Sequence, residues 1–394
     1  MTSTAIPPEN QHPVIIVGGG PGGLATALHL AREAPDLAEK LLILEARHHP
    51  RPKLCGGGVT THGEEQLQAL GIEIDAPAFV VHNIQFRLGK QSVTIEHENA
   101  MRVFDRAEFD AALARLVVQN QLDLRSGERL LELRPVRDGY ELTTDQARYF
   151  ARVVIAADGA NSTVRRKLKL NGTTGIARLL RIMTPVTPEE SDLWRQHTAV
   201  FDFSCVQQHL QGYVWDFPAL VNNKPFMNRG IFDSRIEPDR LSERKHARLK
   251  SIFAGALHER EIDLNQHQLE GHPVRWFDPN ATFSMPHVLL VGDAAGVDPL
   301  FAEGISYAME YGAIAAQHIK QAFASDDFRF EGYRAHLLAH RLGKLLARRT
   351  YAARHLYRYR YPPLWSALWF FAGIAPKTVQ RKVGAALALL PATR

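Results

Sequence analysis

The chain has 394 residues, of which 45% are hydrophobic and 23% are charged, and its formal net charge is +5 at pH 7. This length and balance predict a globular chain with a sizeable core and more than one domain. Its two cysteines, Cys55 and Cys205, exclude a disulfide framework and lack zinc spacing, so we expect a reducing compartment and no metal site.

The N-terminal residues 1–12 are polar and contain prolines, so they do not form the apolar core of a signal peptide. No run in the sequence reaches the roughly 18 apolar residues that a membrane-spanning helix needs. We therefore expect a cytoplasmic protein, or one that lies peripherally at the inner face of a membrane. The mild positive charge favours anionic surfaces or phosphate-bearing ligands without choosing between them.

The first motif is a glycine loop that follows a buried strand. The run Val14-Ile15-Ile16-Val17 is typical of a strand covered on both faces, and it leads into Gly18-Gly19-Gly20-Pro21-Gly22-Gly23 and a helix from Leu24. Gly18, Gly20 and Gly23 occupy the places of the G-x-G-x-x-G pattern that serve the tight turn, the approach of a pyrophosphate and close helix packing. Amides at the start of the helix that the loop opens then face the phosphates.

A second apolar run, Lys40-Leu41-Leu42-Ile43-Leu44, ends in Glu45 and Ala46. An acid at this place accepts hydrogen bonds from an adenosine ribose. The glycine pattern alone also occurs in plain turns, but strand, helix and terminal acid together complete a βαβ fingerprint and predict a dinucleotide cofactor.

A glycine-rich segment follows, Arg51-Pro52-Lys53-Leu54-Cys55-Gly56-Gly57-Gly58-Val59, which is too irregular for a helix or a strand. It is either a surface turn or a loop against which a cofactor ring lies, with Cys55 as its one reactive side chain. A short helix is predicted over residues 63–70. Residues 79–96 alternate around a turn like a hairpin, which indicates that the chain leaves the parallel sheet for an antiparallel one.

Two later stretches return to the nucleotide domain. Asp105 is predicted to cap an amphipathic helix, and Arg106 in its first turn is either a surface residue or the partner of an anion such as a phosphate. An apolar strand over residues 151–157 ends in Asp158-Gly159. This arrangement places a carboxylate at the sheet edge where ligands bind, unless Asp158 is a turn residue.

The antiparallel pattern resumes after residue 175, and strands are predicted over residues 177–186, 198–204, 210–218 and 226–232. In the third of these, alternation places Tyr213, Trp215 and Phe217 on one face and Val214 and Asp216 on the other. Three aromatic side chains on one face form either core or the wall of a substrate cavity. A helix is predicted over residues 241–257.

A third buried strand, over residues 288–291, ends in Gly292-Asp293 and precedes a helix predicted from Ser306 to about Ala324. Asp293 can bind a ribityl-type hydroxyl, and the helix opening at Gly304 and Ile305 presents free amides and a positive dipole end. That end stabilises the negative charge of a reduced flavin, so the pattern favours flavin over nicotinamide as the bound group.

The C-terminal part is predicted to be helical over residues 334–346. Residues 348–361 interleave five arginines with four tyrosines, and residues 364–371 are apolar but too short to span a bilayer. This region is either a helix that caps the substrate domain or a segment that contacts a membrane interface. Nothing else in the chain resembles a nucleic-acid fold, so no nucleic-acid partner is expected.

Over residues 14–324 these motifs resemble the single-Rossmann FAD-dependent oxidoreductases of the p-hydroxybenzoate hydroxylase fold. Lys53-x-Cys55-Gly56-Gly57-Gly58 is similar to the cysteine-glycine flavin loop of the geranylgeranyl reductases, and Tyr213-x-Trp215-x-Phe217-Pro218 is similar to their Tyr-x-Trp-x-Phe-Pro motif. The resemblance implies an α/β fold with a discontinuous Rossmann-like FAD-binding domain, an antiparallel-sheet substrate domain and a C-terminal helical region. The expected boundaries are 1–75, 100–165 and 276–330 for the first, 76–99 and 166–275 for the second, and 331–394 for the third.

The same resemblance implies tightly bound, non-covalent FAD and a cavity between the flavin and the antiparallel sheet. The residues assigned to the cofactor are Gly18, Gly20, Pro21, Gly22, Gly23, Glu45, Ala46, Lys53, Cys55, Gly56, Gly57, Arg106, Asp158, Gly159, Asp293, Gly304 and Ile305.

Geranylgeranyl reductases reduce isolated carbon–carbon double bonds of polyprenyl chains, so the resemblance implies a hydrophobic, isoprenoid-type substrate and a hydride from reduced flavin. Tyr213 and Trp215 are expected to line an apolar tunnel, and Cys55 is the candidate for proton handling or substrate positioning. The sequence has no second nucleotide fingerprint, so either NAD(P)H visits transiently or ferredoxin or another carrier delivers the electrons.

Two alternatives stay open. A flavin-dependent monooxygenase, either a hydroxylase or a halogenase acting on an aromatic or polyketide-type molecule, shares the fold. Halogenases of this superfamily carry a Trp-x-Trp-x-Ile-Pro motif and a lysine that meets hypohalous acid. Here Tyr213 and Phe217 differ from that motif, and Lys53 has a simpler role as a solvated or phosphate-pairing side chain. The second alternative is a flavin-binding or membrane-docking protein without turnover.

Overall fold

The computed structural model describes residues 6–170, 175–237 and 249–358, together with Trp365, Ala367 and Trp369. Within those residues the strands are β1 Gln11–Val17, β2 Leu42–Glu45, β3 Gly58–Thr60, β4 Ala78–Leu88, β5 Gln91–Phe104, β6 Asp123–Ser126, β7 Leu130–Val136, β8 Gly139–Thr144, β9 Arg148–Ala156, β10 Ile176–Pro185, β11 Thr198–Asp202, β12 Gly212–Val221, β13 Lys224–Asp233, β14 Glu270–Arg275, β15 Ser284–Met285 and β16 Val288–Leu290. The α-helices are α1 Pro21–Glu33, α2 Pro35–Ala38, α3 Thr61–Leu70, α4 Arg106–Gln119, α5 Thr163–Lys167, α6 Asp192–Arg195, α7 Leu249–His258, α8 Ile305–Ser325, α9 Tyr333–Ala339 and α10 Arg341–Arg358.

The first sheet is built around five parallel strands in the order β16-β9-β1-β2-β6. The short strand β15 pairs antiparallel with β16, and the β7–β8 hairpin extends the sheet from β9. Residues 14–17 of the central strand β1 are buried, as their run of β-branched side chains predicts. Because β2 lies on one side of β1 and β9 on the other, the carboxyl end of β1 is the switch point where open α/β sheets bind ligands.

Two long helices begin at this same edge of the sheet. Helix α1 follows β1, helix α8 follows β16, and the two pack together so closely that a Cβ on Gly312 would lie 2.7 Å from the backbone nitrogen of Thr26. Neither N-cap residue, Gly20 nor Gly304, has a side chain that caps the first amides. Free amides of two helix starts are therefore available to a ligand at the switch point.

The second sheet has the order β14-β10-β13-β12-β11-β4-β5-β3, and every neighbouring pair is antiparallel except β4 with β11. The sheet is therefore antiparallel as predicted, apart from this one parallel pair, whose strands are not joined by a hairpin. The faces of β12 alternate as predicted. Tyr213, Trp215 and Phe217 lie in one apolar cluster, and Val214 packs on the opposite face in a cluster with Phe253 of α7.

Some predicted elements differ in their bounds from the observed ones. The single helix predicted over residues 334–346 is divided into α9 and α10 at His340, which is extended and accepts a hydrogen bond from the backbone of Leu342 at its ring Nδ1. The glycine-rich segment ends in a strand, β3, that pairs with β5. The helix predicted over residues 241–257 is present as α7 from Leu249 onward, and residues 238–248 lie outside the described residues. Across the described part of the chain, none of the helices combines the length and hydropathy needed to cross a membrane.

The C-terminal helix α10 is joined to the loop of residues 298–304 by a buried ionic cluster. Arg349 on α10 is 1% exposed and pairs with Asp298 and Glu303, the latter at 3.0 Å. Asp298 also accepts hydrogen bonds from the backbone nitrogens of Leu300 and Phe301, at 2.8 and 3.2 Å. One arginine therefore balances two buried carboxylates that shape this loop. Of the arginines and tyrosines that alternate over residues 348–361, Arg349 and Tyr357 are both buried.

Replacing Arg349 by methionine is expected to lower the free energy of unfolding by about 3–5 kcal/mol, because two buried carboxylates lose their counter-charge. Urea denaturation followed by circular dichroism measures the change. Arg348, the exposed neighbour, supplies the matched control, and Arg348→Met should stay within about 0.5 kcal/mol of the wild type. Equal stabilities of the two variants would contradict the role given to the cluster.

Candidate functional site

One cavity of about 540 Å³ lies between the two sheets, at the carboxyl end of β1. It brings together every residue predicted to hold the cofactor or act on the substrate except Gly23: Gly18, Gly20, Pro21, Gly22, Glu45, Ala46, Lys53, Cys55, Gly56, Gly57, Arg106, Asp158, Gly159, Tyr213, Trp215, Asp293, Gly304 and Ile305. Gly23 lies beneath the loop, where a Cβ would be 2.0 Å from the carbonyl oxygen of Gly18. Its place is that of the third glycine in the fingerprint, which permits helix to pack on strand.

The glycine loop makes a tight turn and leaves its backbone open to the cavity. Gly18 has a φ of +115°, and a Cβ there would lie 2.3 Å from the carbonyl oxygen of Ala157. A Cβ on Gly20 would meet only the guanidinium of Arg51, at 3.5 Å, so this position faces free space. Helix α1 begins at Pro21, three residues before the predicted start, because proline suits the first helical position.

Glu45 lies where the fingerprint predicts a ribose acceptor, at the end of β2. Its carboxylate accepts hydrogen bonds from the backbone nitrogens of Gly19, at 2.9 Å, and Arg47, at 3.0 Å. The guanidinium of Arg51 lies 3.3 Å from Glu45 and 3.3 Å from the carboxylate of Asp110, and it also donates to the carbonyl of Gly19. Arg51 thus links the ribose end of the site to helix α4, a role that the sequence did not indicate.

Arg106 is not a surface residue. It is 5% exposed and donates two hydrogen bonds to Asp110, at 3.0 and 3.1 Å. Burial alone would lower the pKa of Arg106, but the charge of Asp110 and the neighbouring side chain of Cys55 raise it, so the guanidinium stays charged. The anion that the sequence predicted beside Arg106 is therefore Asp110 in this structure, and the four-residue spacing within a helix was the available signal.

Asp158 is both a residue of the ligand-binding edge and a turn residue, the two interpretations that its position in the sequence allowed. It lines the cavity, but one carboxylate oxygen accepts the backbone amides of Thr163 and Val164, at 2.6 and 3.1 Å, at the start of α5. Burial raises the pKa of Asp158 in spite of these bonds. The neighbouring Gly159, with a φ of +78°, has nothing within 4 Å of where a Cβ would stand.

Lys53 is not a solvated side chain. Its ammonium lies 2.6 Å from Nε2 of His272 on β14, and burial lowers the pKa of Lys53. Burial and the nearby charges of Lys53 and Arg106 lower the pKa of His272 to about 3. His272 is therefore neutral near pH 7 and accepts the hydrogen bond from Lys53.

The opposite end of the cavity has an aromatic wall, formed by Phe201, Tyr213, Trp215, Phe217 and Phe301. The ring centroid of Phe201 lies 5.1 Å from that of Tyr213 and 5.0 Å from that of Phe217. The loop of residues 51–58, here called the cysteine loop, packs against this wall so closely that a Cβ on Gly56 would lie 3.0 Å from the Phe217 ring. The motif that predicted a three-residue aromatic face thus describes part of a larger wall.

Asn228 ties the aromatic wall to the cysteine loop. Its side-chain oxygen accepts a hydrogen bond from the Trp215 indole at 3.0 Å, and its side-chain nitrogen donates to the carbonyls of Cys55 and Gly56, at 2.9 and 3.1 Å. Asn228 is 2% exposed and pairs with Phe217 across β12 and β13. Sequence reasoning missed it because only the register of the two strands brings it to the site.

Tyr213 lines the cavity, and its hydroxyl has a hydrogen-bond partner within the protein. Its hydroxyl donates to the carbonyl oxygen of Phe301, and burial raises the pKa of Tyr213 well above 10. The Tyr213 phenol is therefore neutral, and its hydrogen bond to a backbone carbonyl holds the ring in the wall. Among the described residues, no group of three or more His, Cys, Asp or Glu side chains can hold a metal ion.

The cavity fits a dinucleotide that carries a flavin. The open position at Gly20 is a cradle that a Cβ would fill, two uncapped helix starts suit phosphate and ring negative charge, and Glu45 stands at the ribose end. A Cβ on Gly304 would lie 3.5 Å from the Asp293 carboxylate, so this acid is at the start of α8 as predicted.

The comparisons with known proteins agree with this geometry. The sequence matches the model of the FAD binding domain over residues 11–320. The digeranylgeranylglycerophospholipid reductase of Methanothrix thermoacetophila is 27% identical over 376 residues, which cover 85% of this chain and 85% of the relative. A geranylgeranyl bacteriochlorophyll reductase-like protein from Thermoplasma acidophilum has a similar structure, with a TM-score of 0.71, 23% identity and coverage of 97% and 92% of the two chains. The p-nitrophenol 4-monooxygenase from Pseudomonas putida has a TM-score of 0.69 at 18% identity, with coverage of 98% and 100%.

These findings confirm the fold and the resemblance to geranylgeranyl reductases that the motifs predicted. At such identities the two structures show a shared fold and not a shared reaction.

Replacing Gly20 by alanine is expected to leave the apoprotein stable and to weaken FAD binding by at least about tenfold, or 1.4 kcal/mol, because the new methyl group occupies the phosphate cradle. Fluorescence titration with FAD and thermal unfolding of the apoprotein measure the two effects. Gly332→Ala is the control, since a Cβ there has nothing within 4 Å and Gly332 lies outside the cavity lining. Unchanged affinity in Gly20→Ala would place the cofactor phosphates elsewhere.

Proposed function

This chain belongs to the FAD-binding-domain family, and from that premise we propose that it reduces carbon–carbon double bonds of an isoprenoid or similarly hydrophobic substrate. NAD(P)H or ferredoxin serves as the electron donor in this proposal. The observation that carries it is the continuity of one cavity from the glycine cradle to the aromatic wall. The likeness to a digeranylgeranylglycerophospholipid reductase adds support for a prenyl substrate.

The polar end of the cavity holds the cofactor in this proposal. The amides at the start of α1 and the open backbone at Gly20 would bind the pyrophosphate, and Glu45 would accept the ribose hydroxyls. Asp293 would bind the ribityl chain, and the start of α8 would stabilise negative charge on the ring. Bound FAD, once reduced, supplies a hydride.

The apolar end suits an unactivated alkene. Such a substrate has no carbonyl for the protein to polarise, so the site must exclude water and stabilise any transient positive charge on carbon. Aromatic faces do both, since they are apolar and carry negative charge density on their faces. The indole nitrogen of Trp215 and the hydroxyl of Tyr213 are already hydrogen-bonded to Asn228 and Phe301, so the wall presents no unpaired donor from these two groups.

The second carbon of the double bond needs a proton, and Cys55 is the group that we assign to its transfer. The thiol is half-buried, lines the cavity and lies beside the Arg106 guanidinium. Tyr213 is engaged elsewhere. Cys205, the other cysteine, is buried on the far side of the second sheet, outside the cavity lining.

Cys55→Ala is expected to lower kcat by about 10²–10⁴-fold while FAD stays bound, which is the usual contribution of a positioned general acid. Cys55→Ser should keep part of the rate, because a hydroxyl can still transfer a proton. Initial rates under anaerobic conditions and flavin absorbance measure the two properties. Cys205→Ala, with full turnover expected, is the control. Unchanged turnover in Cys55→Ala with FAD bound would remove Cys55 from the mechanism.

The reaction itself is tested by incubating the protein with reduced donor and a prenyl substrate in the absence of oxygen. We expect a product that gains two hydrogens, identified by mass spectrometry. The monooxygenase alternative is supported by the fold shared with a p-nitrophenol 4-monooxygenase. It predicts the reverse pattern, with donor consumption that depends on oxygen and an oxygen atom in the product, and that result would overturn the reductase proposal.

A further inference from the structure

Helix α10 has two chemically different faces. Its 18 residues include six arginines and lysines and no aspartate or glutamate. The inner face is buried against the rest of the protein and includes Leu342, Leu346, Arg349, Ala353 and Tyr357. The opposite face of the helix takes no part in the proposed reaction.

This outer face is a continuous stripe. Lys344, Arg348, Tyr351, His355 and Arg358 follow one another at alternating spacings of four and three residues, which places them within an arc of about 80° on the helix surface. Lys344, Arg348 and Arg358 are exposed, and the Tyr351 ring is 65% exposed beside the His355 ring, at 3.8 Å between centroids. Large aromatic side chains this exposed are uncommon on a plain surface helix.

The acids near α10 approach the flanks of the stripe and its C-terminal end. Arg341 pairs with Glu65 and Glu310, and Arg354 lies 3.8 Å from Asp278. Arg358 lies 3.8 Å from Glu237 at the end of the helix. Within the described part of the chain, no aspartate or glutamate forms a salt bridge with Lys344 or Arg348. The middle of the outer face is therefore cationic, without a salt-bridge partner among the described residues.

We propose that the outer face of α10 docks on a bilayer that contains anionic phospholipid. Ordinary surface helices mix charges of both signs, whereas a basic helical face with an exposed aromatic ring is complementary to lipid phosphates and to the headgroup interface. On the inner face, Arg349 reaches Asp298 and Glu303 of the loop that lines the cavity, and its guanidinium lies 5.2 Å from the ring of Phe301. Docking through α10 thus holds the aromatic end of the cavity near the bilayer.

The inference rests on the proposed function only for the reason why docking would be useful, since a hydrophobic substrate chain would pass from the bilayer to the aromatic wall. The binding itself depends on the outer face alone. It deepens the sequence-based expectation of membrane contact by assigning that contact to described residues of α10.

Sedimentation of the full-length protein with vesicles tests the proposal. At low ionic strength the wild type is expected to sediment with phosphatidylcholine vesicles that contain phosphatidylglycerol, and not with phosphatidylcholine alone. The double variant Lys344→Gln/Arg348→Gln should lower the partition coefficient about 25-fold, since each cation near an anionic surface contributes about fivefold. Added salt should weaken binding of the wild type.

The matched control is Lys90→Gln/Arg137→Gln, which removes two exposed cations from the β4–β5 and β7–β8 turns and should bind like the wild type. Equal binding of wild type and the α10 double variant would overturn the proposal. Preferential binding of a single-stranded RNA oligonucleotide through the same two residues would also overturn it.

A second readout separates this inference from the reductase proposal. With a detergent-solubilised prenyl substrate, the α10 double variant should turn over at the wild-type rate. If the wild type saturates no double bond, the reductase proposal fails while the vesicle result stands, and if vesicle binding is absent while turnover is normal, only the docking inference fails.

Discussion

The site depends on a steric constraint at the carboxyl end of β1, where the backbones of two strands and one helix approach one another without side chains between them. A Cβ on Gly18 would lie 2.3 Å from the carbonyl of Ala157, and one on Gly23 would lie 2.0 Å from the carbonyl of Gly18. Glycine loses more conformational entropy on folding than other residues, so glycine at these two places lowers the stability of the folded chain. The cost is offset by burial of the apolar strand that leads into the loop, and the gain is a helix start whose amides face the cavity.

The second sheet converts this polar cleft into a cavity with two chemical ends. Its aromatic wall would be ordinary core if the cysteine loop did not lie against it. Asn228 makes that arrangement specific, because a buried amide is stable only where all its partners are in place. Arg349 has a similar effect on the loop of residues 298–304, where two buried carboxylates fix the position of one side of the wall.

Charged side chains lie toward the polar end of the cavity and aromatic side chains lie at the other end. Two cations that line the cavity are paired with groups of the protein itself, Arg106 with Asp110 and Lys53 with a neutral His272. The aromatic end has its hydrogen-bonding groups on Tyr213 and Trp215 already engaged. A charged cofactor and a hydrophobic substrate can therefore occupy one cavity at opposite ends, which is the physical basis of the proposed reductase activity.

The amino-acid sequence determined those features that depend on neighbours close in the chain. The glycine loop, the acid at the end of β2, the capping of α4 by Asp105 and the alternation along β12 all follow from spacings of a few residues, and each is present in the structure. The position of the predicted cofactor residues around one cavity also followed, because parallel strands bring their carboxyl ends to one edge.

Tertiary structure alone decided which partners these residues have. Lys53 meets His272 at a separation of 219 residues, and Asn228 meets Cys55 at a separation of 173 residues, distances over which no local pattern carries information. The same holds for Arg349, for which the alternation of arginines and tyrosines indicated no partner and which the packing of α10 buries beside Asp298 and Glu303. Periodicity and spacing determine whether a segment forms a helix, a strand or a turn. Strand register and helix packing determine which residues each side chain contacts.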